Sequence, residues 1–436
     1  MVLYSTLPFL FNLIRQDEGQ LQQLKARAFL VDMEEGVIHG LLRGPFSSLF
    51  DEALVITDVS GSGNNWARGH EVYGELHGSL IADTVSRALE DCDSPQVGQA
   101  AFQTSNTVYP QAFLFVHSLG GGTGSGLGTK CLEMMADLHP QLARLVCAVS
   151  PGNTDDVITS PYNTALALRE LRQHATCVLP VCNDSLSQVK GAHSVDSAMP
   201  FAHANGAAAQ MIAHLTSSVR FSGPLDIDVL DLNSNLVPYR GLQFLFSAFS
   251  PLVSKLHRQQ ETHRSQEAKI RASQFRHSDI RLATRCSDLM LDILSPSHQL
   301  LDVHPKVSTC LASAFLLRGE CPIGNIIQRL DRGSTRLGIC SIPPPEQGVP
   351  TAHLFVMIRL QVASLLCLLN SCAIRQHFSR VLGRFMKLYS KRAHLHHYTE
   401  FTEKAVFDAA AESLKSLIED YEPTKDKPAD SLQHML

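Results

Sequence analysis

Short apolar runs alternate with longer amphipathic stretches through the first half of the chain, a pattern that predicts strands separated by helices. The run from Ala26 to Val31 reads as a buried strand ending at Asp32, and Ala112 to His117 as a second ending at Ser118. Leu145 to Val149 and Thr176 to Val181 read as a third and a fourth. Between them Leu127, Cys131, Met135 and Leu138 share one helical face that Pro140 closes, and Tyr162 to His174 offers Leu166, Leu168 and Leu171 for packing. Strand–helix–strand order of this kind implies an α/β fold whose parallel sheet is covered by helices.

The second half follows a different pattern. Leu354 to Leu369 is apolar but interrupted by Arg359 and Gln361, and it is shorter than the roughly 20 residues of a membrane span. It predicts a buried helix. Lys255 to Arg285 holds eight Lys and Arg and reads as a solvated loop or helix. Prolines make Ser341 to Pro350 a loop. Phe378 to Tyr421 is helical in pattern, first basic as far as Tyr398 and then from Ala405, and the polar stretch after it predicts a disordered tail. Near the start, the apolar patch Leu7 to Ile14 lacks the basic flank and small-residue cleavage site of a secretory signal.

Composition narrows the functional classes. A chain of 436 residues, 44% hydrophobic and 18% charged, has room for two or three packed domains and is not a disordered polymer. Its net charge of -5 shows no basic excess for nucleic acid, and a single Trp argues against stacking on single strands. The eleven cysteines form no Cys-x-x-Cys pair and read as reduced core thiols of a cytosolic protein.

The candidate chemistry lies in Ser118-Leu119-Gly120-Gly121-Gly122-Thr123-Gly124-Ser125-Gly126-Leu127-Gly128-Thr129, between a predicted strand and a predicted helix. Glycines let backbone N–H groups approach a phosphate and tolerate positive φ, and a helix N-terminus favours an anion. Thr123 and Ser125 add hydroxyls. A flexible linker is the alternative, and the flanking elements argue against it. Lys130 follows Thr129 rather than a glycine, so the P-loop pattern fails. Leu127 and Ser125 stand where a dinucleotide fingerprint needs glycine.

The glycine run resembles the signature of the tubulin family, and further segments agree in order. Val31-Asp32-Met33-Glu34 resembles that family's acidic loop, and Gly61 to His70 (GSGNNWARGH) its GNNWA-GH loop. Ser160-Pro161-Tyr162-Asn163 resembles a helix start, and Asn235 to Tyr239 its NLVP segment. The stretches from Leu24 to Pro45, Ile56 to Gly74 and Lys391 to Tyr398 are similar to the epsilon branch, and the chain lacks the Glu-rich tail of alpha and beta chains.

The resemblance implies a Rossmann-like GTPase domain over 1–199, a core helix over 200–220, a smaller α/β domain over 221–375 and C-terminal helices over 376–436. It implies GTP or GDP held by Ser118 and by Gly120, Gly121, Gly122, Thr123, Gly124, Ser125 and Gly126. Asp32 and Glu34 would act near Mg²⁺, a hard cation that suits carboxylates, with Asp32 alternatively a strand-end cap. Asn64 would contact the phosphate or ribose side, and Asp155 and Asp156 the ribose, unless the two acids are merely solvated. Asn183 and Asn205 would read guanine while Phe201 stacks on it; without the family context Phe201 reads as core.

Hydrolysis in this family needs an acid from the next subunit. That acid maps to Asp231, with Asp228 one turn earlier, so the activity expected is a weak GTPase dependent on a neighbour. The implied partners are other tubulins, a delta type among them, microtubules and centriolar proteins, with no nucleic acid or membrane. The implied location is the cytoskeleton, at the centrosome, centriole or basal body of a cilium.

Several departures from the family are expected to matter. Its opening strand and GQCGNQ loop find no match in residues 1 to 23, and the Leu7 to Ile14 patch is the candidate substitute for the strand. Ala100 to Pro110, 257–281 and about 356–367 read as insertions. These departures keep a nucleotide-free interaction scaffold open as the alternative. His394, His396 and His397 lack complementary metal-ligand spacing and read as a helix surface or partner contact.

Overall fold

The computed structural model describes residues 2–5, 11–15, 21–93, 112–152, 155–188, 201–220, 227–250, 289, 292–293, 295–304, 308–318, 353–358 and 364–422. The expected insertions at 100–110 and 257–281, the 341–350 loop and the terminal tail lie outside these. In the first half the strands are β1 (Val2–Ser5), β2 (Phe11–Arg15), β3 (Leu21–Ala26), β4 (Ala28–Asp32), β5 (Val55–Thr57), β6 (Ala112–Ser118), β7 (Ala143–Ser150) and β8 (Cys177–Cys182). The second half supplies β9 (Phe246–Ser250), β10 (Cys310–Arg318), β11 (His353–Ile358) and β12 (Ser364–Ser371).

The larger sheet runs β5-β4-β1-β6-β7-β8. β4 pairs parallel with β5, β6 with β7, and β7 with β8. Both faces are covered, which is why these strands are near-continuous apolar runs. On one face Phe29, Val31, Phe113, Phe115 and Val146 meet the helices Tyr73–Asp93, Gly128–Leu138 and Ser160–His174. On the other, Leu114, Leu145, Cys147 and Leu179 meet Ala204, Ala207, Met211 and Leu215 of the helix Ala202–Leu215. Seven cysteines of the described residues are free and buried. Burial pushes the thiols of Cys131, Cys147, Cys177 and Cys310 up to about 12, so they act as inert core groups.

One strand departs from expectation. Val2–Ser5, and not the Leu7 to Ile14 patch, fills the slot between β4 and β6. Tyr4 pairs with Ala28 and with Leu114, and the strand runs antiparallel to both neighbours. A ladder satisfies backbone groups in either direction, so a short apolar segment can enter a parallel sheet backwards. Chain leaving Ser5 therefore departs beside Phe113, at the end of the sheet opposite the glycine loop. Phe11–Arg15 pairs with β3 in a separate ribbon.

The smaller sheet, β11-β10-β12-β9, corrects the helix expected over Leu354 to Leu369. That run supplies two strands, β11 parallel to β10 and β12 antiparallel to it, with Phe315 opposite both Phe355 and Cys367. An apolar run buried all round gives no periodicity to separate helix from strand; β12 is buried along its whole length. The two sheets are joined where Leu245 N donates to Val178 O at 2.8 Å and Cys182 N to Leu300 O at 2.8 Å.

The helices Arg375–Tyr389 and Lys404–Asp420 pack outside Ser160–His174. Tyr162 sits among Phe385, Tyr398 and Phe407, with ring centroids 5.5, 5.5 and 5.3 Å away. Arg172 Nη2 closes the stack on Asp420 at 2.6 Å. These aromatic contacts fix the helix whose N-terminus reaches the crevice described next.

Candidate nucleotide-binding site

The carboxyl ends of β4, β6, β7 and β8 all open on one edge of the larger sheet, the place where open α/β sheets bind ligands. β6 delivers Ser118 to this edge and the glycine loop follows. Gly120 N donates to Ser118 Oγ at 3.2 Å, and a π-turn over Thr123–Leu127 leads into the helix Gly128–Leu138. β4 ends at half-buried Asp32 and exposed Glu34 follows two residues on, while Val31 and Met33 belong to the core.

The glycines serve close approach more than unusual φ. Positive φ is found at Gly61, Gly63 and Gly241 but at none of the glycine-loop positions. A Cβ on Gly122 would stand 2.6 Å from both Asn65 N and Ser62 Oγ, and one on Gly124 2.6 Å from Ser118 O. A Cβ on Gly126 would run into Trp66 O, and one on Gly69 into Gly122 O. The glycine loop and the Gly61-to-His70 loop thus interlock backbone to backbone. Gly120 and Gly121 remain for the crevice: the nearest atoms to their missing Cβ are Asp155 Oδ2 at 3.3 Å and Asn64 Oδ1 at 3.6 Å.

Asn163, fully buried, joins the two loops. Its Nδ2 donates to Asn64 O at 2.8 Å and to Gly120 O at 2.7 Å, while its Oδ1 accepts from Trp66 N at 2.9 Å and Tyr398 OH at 2.6 Å. This arrangement supports Asn64 in the left-handed conformation, φ 52°, with Thr159 Oγ1 donating to the same carbonyl at 3.3 Å. Of the two hydroxyls expected to face phosphate, Ser125 is buried and donates to Gly121 O, so it shapes the loop from inside. Thr123 pairs with Ser62 Oγ at 2.9 Å.

The end where a base is expected is more open. Asn183 begins the short helix Asn183–Gln188 directly after β8. Phe201 is 55% exposed at the start of Ala202–Leu215, with exposed Asn205 one turn on, its N–H donating to Phe201 O at 2.8 Å. Asp155 and Asp156 are both exposed, and Asp155 Oδ2 lies beside Gly120 of the glycine loop. His394, His396 and His397 are exposed on a turn whose backbone accepts from Asn65 Nδ2 and Tyr162 OH, each at 2.8 Å.

A description of the GTPase domain of the Tubulin/FtsZ family matches residues 10–191. The human tubulin epsilon chain is 35% identical, over 96% of this chain and 86% of its own length. This chain belongs to the tubulin family. The mouse tubulin epsilon chain is 36% identical over 93% of the chain and 83% of its own, and the alpha-3 chain of Saccharomyces cerevisiae 29% identical over 91% and 83%. It is thus a divergent tubulin and a cytoskeletal protein, of a family of GTPases whose members associate with other tubulins in microtubules. Among the described residues no helix is long and apolar enough to cross a membrane.

Asp228 and Asp231 lie elsewhere on this tubulin. They form a capping box on the helix Val229–Leu236, with Asp231 N donating to Asp228 Oδ1 at 2.7 Å. Val229, Leu232 and Leu236 of that helix pack near Leu145 and Cys177, at the starting ends of β7 and β8. The two acids therefore stand at the end of the sheet opposite this chain's own glycine loop.

Sequence reasoning missed the joining role of Asn163 and its contact from Tyr398. Tyr398 stands far from the loop in sequence, so only the packing of the C-terminal helices reveals the pair. Tyr73, whose OH donates to Gly61 O at 3.0 Å, was missed as well.

Two buried imidazoles give this site a pH dependence. Burial pushes His117, the residue before Ser118, down to about 4. Burial, with Arg380 and Arg384 nearby, pushes His377 down to about 3; its Nε2 is 3.3 Å from Ser150 Oγ. An unfolded imidazole takes its proton near 6.5, so below that the unfolded chain binds more protons and stability falls as pH drops. Each histidine is expected to cost about 2 kcal/mol between pH 7.5 and pH 5. Urea melts across that range check this, and His117→Gln should remove about half of the slope.

Proposed function

We propose that this protein is a GTP-binding tubulin of the epsilon type that acts in centriole and basal-body structure and in microtubule organisation. The observation that carries the reading is the juxtaposition along one sheet edge of glycine-loop backbone, a carboxylate pair and an exposed aromatic. Gly120 and Gly121 offer close backbone approach for phosphates, Asp155 and Asp156 acceptors for ribose hydroxyls, and Asn183 and Asn205 hydrogen bonds for guanine. Asp32 and Glu34 fit a hard divalent ion by donor type, and they come at the end of β4, on the sheet edge that carries the glycine loop. They would hold Mg²⁺, which would neutralise charge on the phosphates.

Asp231 would serve a neighbour's nucleotide rather than its own, positioning water for in-line attack, so hydrolysis needs a second subunit stacked end to end. A delta-type tubulin is the partner to test, with centriolar proteins beyond it. The antiparallel β1 favours a second reading. Its Ser5 end lies beside Phe113, at the end of the sheet opposite the glycine loop, so among the described residues β1 brings no loop to the crevice. A scaffold without nucleotide would follow.

Phe201→Ala separates the two readings. Stacking on a base contributes about 1–3 kcal/mol, so GTP affinity should fall roughly tenfold or more. Melting should stay unchanged, because the ring is already exposed. Unaltered GTP affinity, measured by competition with a fluorescent guanine nucleotide, contradicts the stacking role.

A further inference from the structure

We infer that Lys387, Lys391 and Arg392, at the end of the outer helix Arg375–Tyr389, form a docking face for an acidic peptide segment in extended form. This goes beyond the nucleotide reading and does not depend on it. From Arg375 to Arg392 the chain holds six Lys and Arg and no Asp or Glu, although the protein as a whole carries a net charge of -5. Arg380, Arg384, Lys387 and Lys391 recur at intervals of four, three and four residues, which keeps them on one helix face. The stripe divides in two. Arg380 is engaged by Asp302, and Arg384 Nη1 donates to Gly152 O at 3.1 Å. Lys387, Lys391 and Arg392 are exposed, and none of the three makes an ion pair among the described residues. Lys387 alone complements the helix C-terminus; Lys391 and Arg392 lie beyond it.

The turn that carries Lys391 and Arg392 is held in place. Arg392 N donates to Tyr389 O at 3.0 Å and Ala393 N to Leu388 O at 3.1 Å, while Tyr162 OH donates to Ala393 O at 2.8 Å. Arg392 and His394 take positive φ, 52° and 57°, a conformation that side chains with a Cβ adopt at a cost. Cations fixed before binding lose little freedom when a partner arrives. The neighbouring helix limits what can dock. Tyr389 OH donates to exposed Asp408 Oδ1 at 2.5 Å, and exposed Glu412 follows one turn along the helix Lys404–Asp420. Acids beside the basic face repel a broad polyanion such as an anionic membrane, whereas a single extended chain is narrow enough to avoid them. Lys387 and Lys391 are about 6 Å apart along the helix, and alternate residues of an extended peptide are about 7 Å apart on one side. Glu or Asp at alternate positions therefore meets successive cations.

The test measures binding of a fluorescently labelled Glu decapeptide to the purified full chain by anisotropy, with a Gln decapeptide as the uncharged comparison. The Glu peptide should bind and the Gln peptide should not. Affinity should fall about tenfold between about 0.05 and 0.3 M salt, because the charges are exposed and screened. K387Q/K391Q should weaken binding about fivefold and K387E/K391E about twentyfold or more, both with the melting temperature of wild type. The Gln pair decides if the Glu pair does not fold. R87E, which reverses an exposed cation on the helix Tyr73–Asp93, should keep affinity within about twofold. Wild type that ignores the Glu peptide, or that binds the Gln peptide as tightly, overturns the inference. So does a loss that R87E shares or that both Lys387/Lys391 variants lack. Vesicles of phosphatidylcholine and phosphatidylserine are the last probe: if wild type sediments with them, K387E/K391E does not, and the Glu peptide stays unbound, the face belongs to a membrane and the inference is overturned.

Discussion

Gly126→Ala is expected to destabilise the protein by about 3 kcal/mol or more and to abolish nucleotide retention. The added methyl meets three backbone groups: it runs into Trp66 O, stands 2.8 Å from His70 N and 2.9 Å from Gly69 Cα. None is the mobile tip of a side chain, so two loops and the helix starts behind them must move apart. Gly121→Ala is the contrast within the same run. Its methyl has only Asn64 Oδ1 nearby, at 3.6 Å. Its stability should stay within about 0.5 kcal/mol of wild type while guanine nucleotide affinity drops, since the methyl occupies the crevice. Urea melts and nucleotide competition on both variants check the pair. Equal stabilities would mean that the loops do not interlock as described.

Asn163→Asp is the second large effect. The side chain donates two hydrogen bonds and accepts two in a fully buried place. A carboxylate keeps the acceptor side but cannot donate, so Asn64 O and Gly120 O both lose a partner and a charge is buried. A loss of about 3–5 kcal/mol is expected, with Asn64 released from its left-handed conformation. Tyr398→Phe removes one donor from the same centre and should cost only about 1 kcal/mol. Thermal melts rank the two variants, and a loss for Asn163→Asp no larger than for Tyr398→Phe would contradict the central role of Asn163.

Much of this architecture could be read from the chain. The four strands of the larger sheet that carry the crevice were legible because each is a short apolar run stopped by a polar or glycine residue, and the helices between them were marked by regular apolar spacing. The glycine run and the loop around Asn64 were legible as motifs, whereas Phe201 stood out only through the family resemblance. Three features were not. The direction of Val2–Ser5 depends on which neighbours have unpaired backbone edges, and no local pattern encodes that. Leu354 to Leu369 is apolar apart from Arg359 and Gln361, and β12 is buried along its whole length, so no alternation separates a strand pair from a helix. The purpose of the glycines was only half visible: Gly122, Gly124 and Gly126 are needed because another stretch of backbone lies against them, a contact made across the fold.

The account turns on whether this crevice holds a guanine nucleotide. The most direct measurement denatures the purified full chain and resolves the released small molecules by ion exchange. The account predicts GTP or GDP at close to one molecule per chain, retained through purification. An empty protein that also takes up no added GTP in the presence of Mg²⁺ would contradict it, and would leave the interlocked loops as the frame of a tubulin-like scaffold.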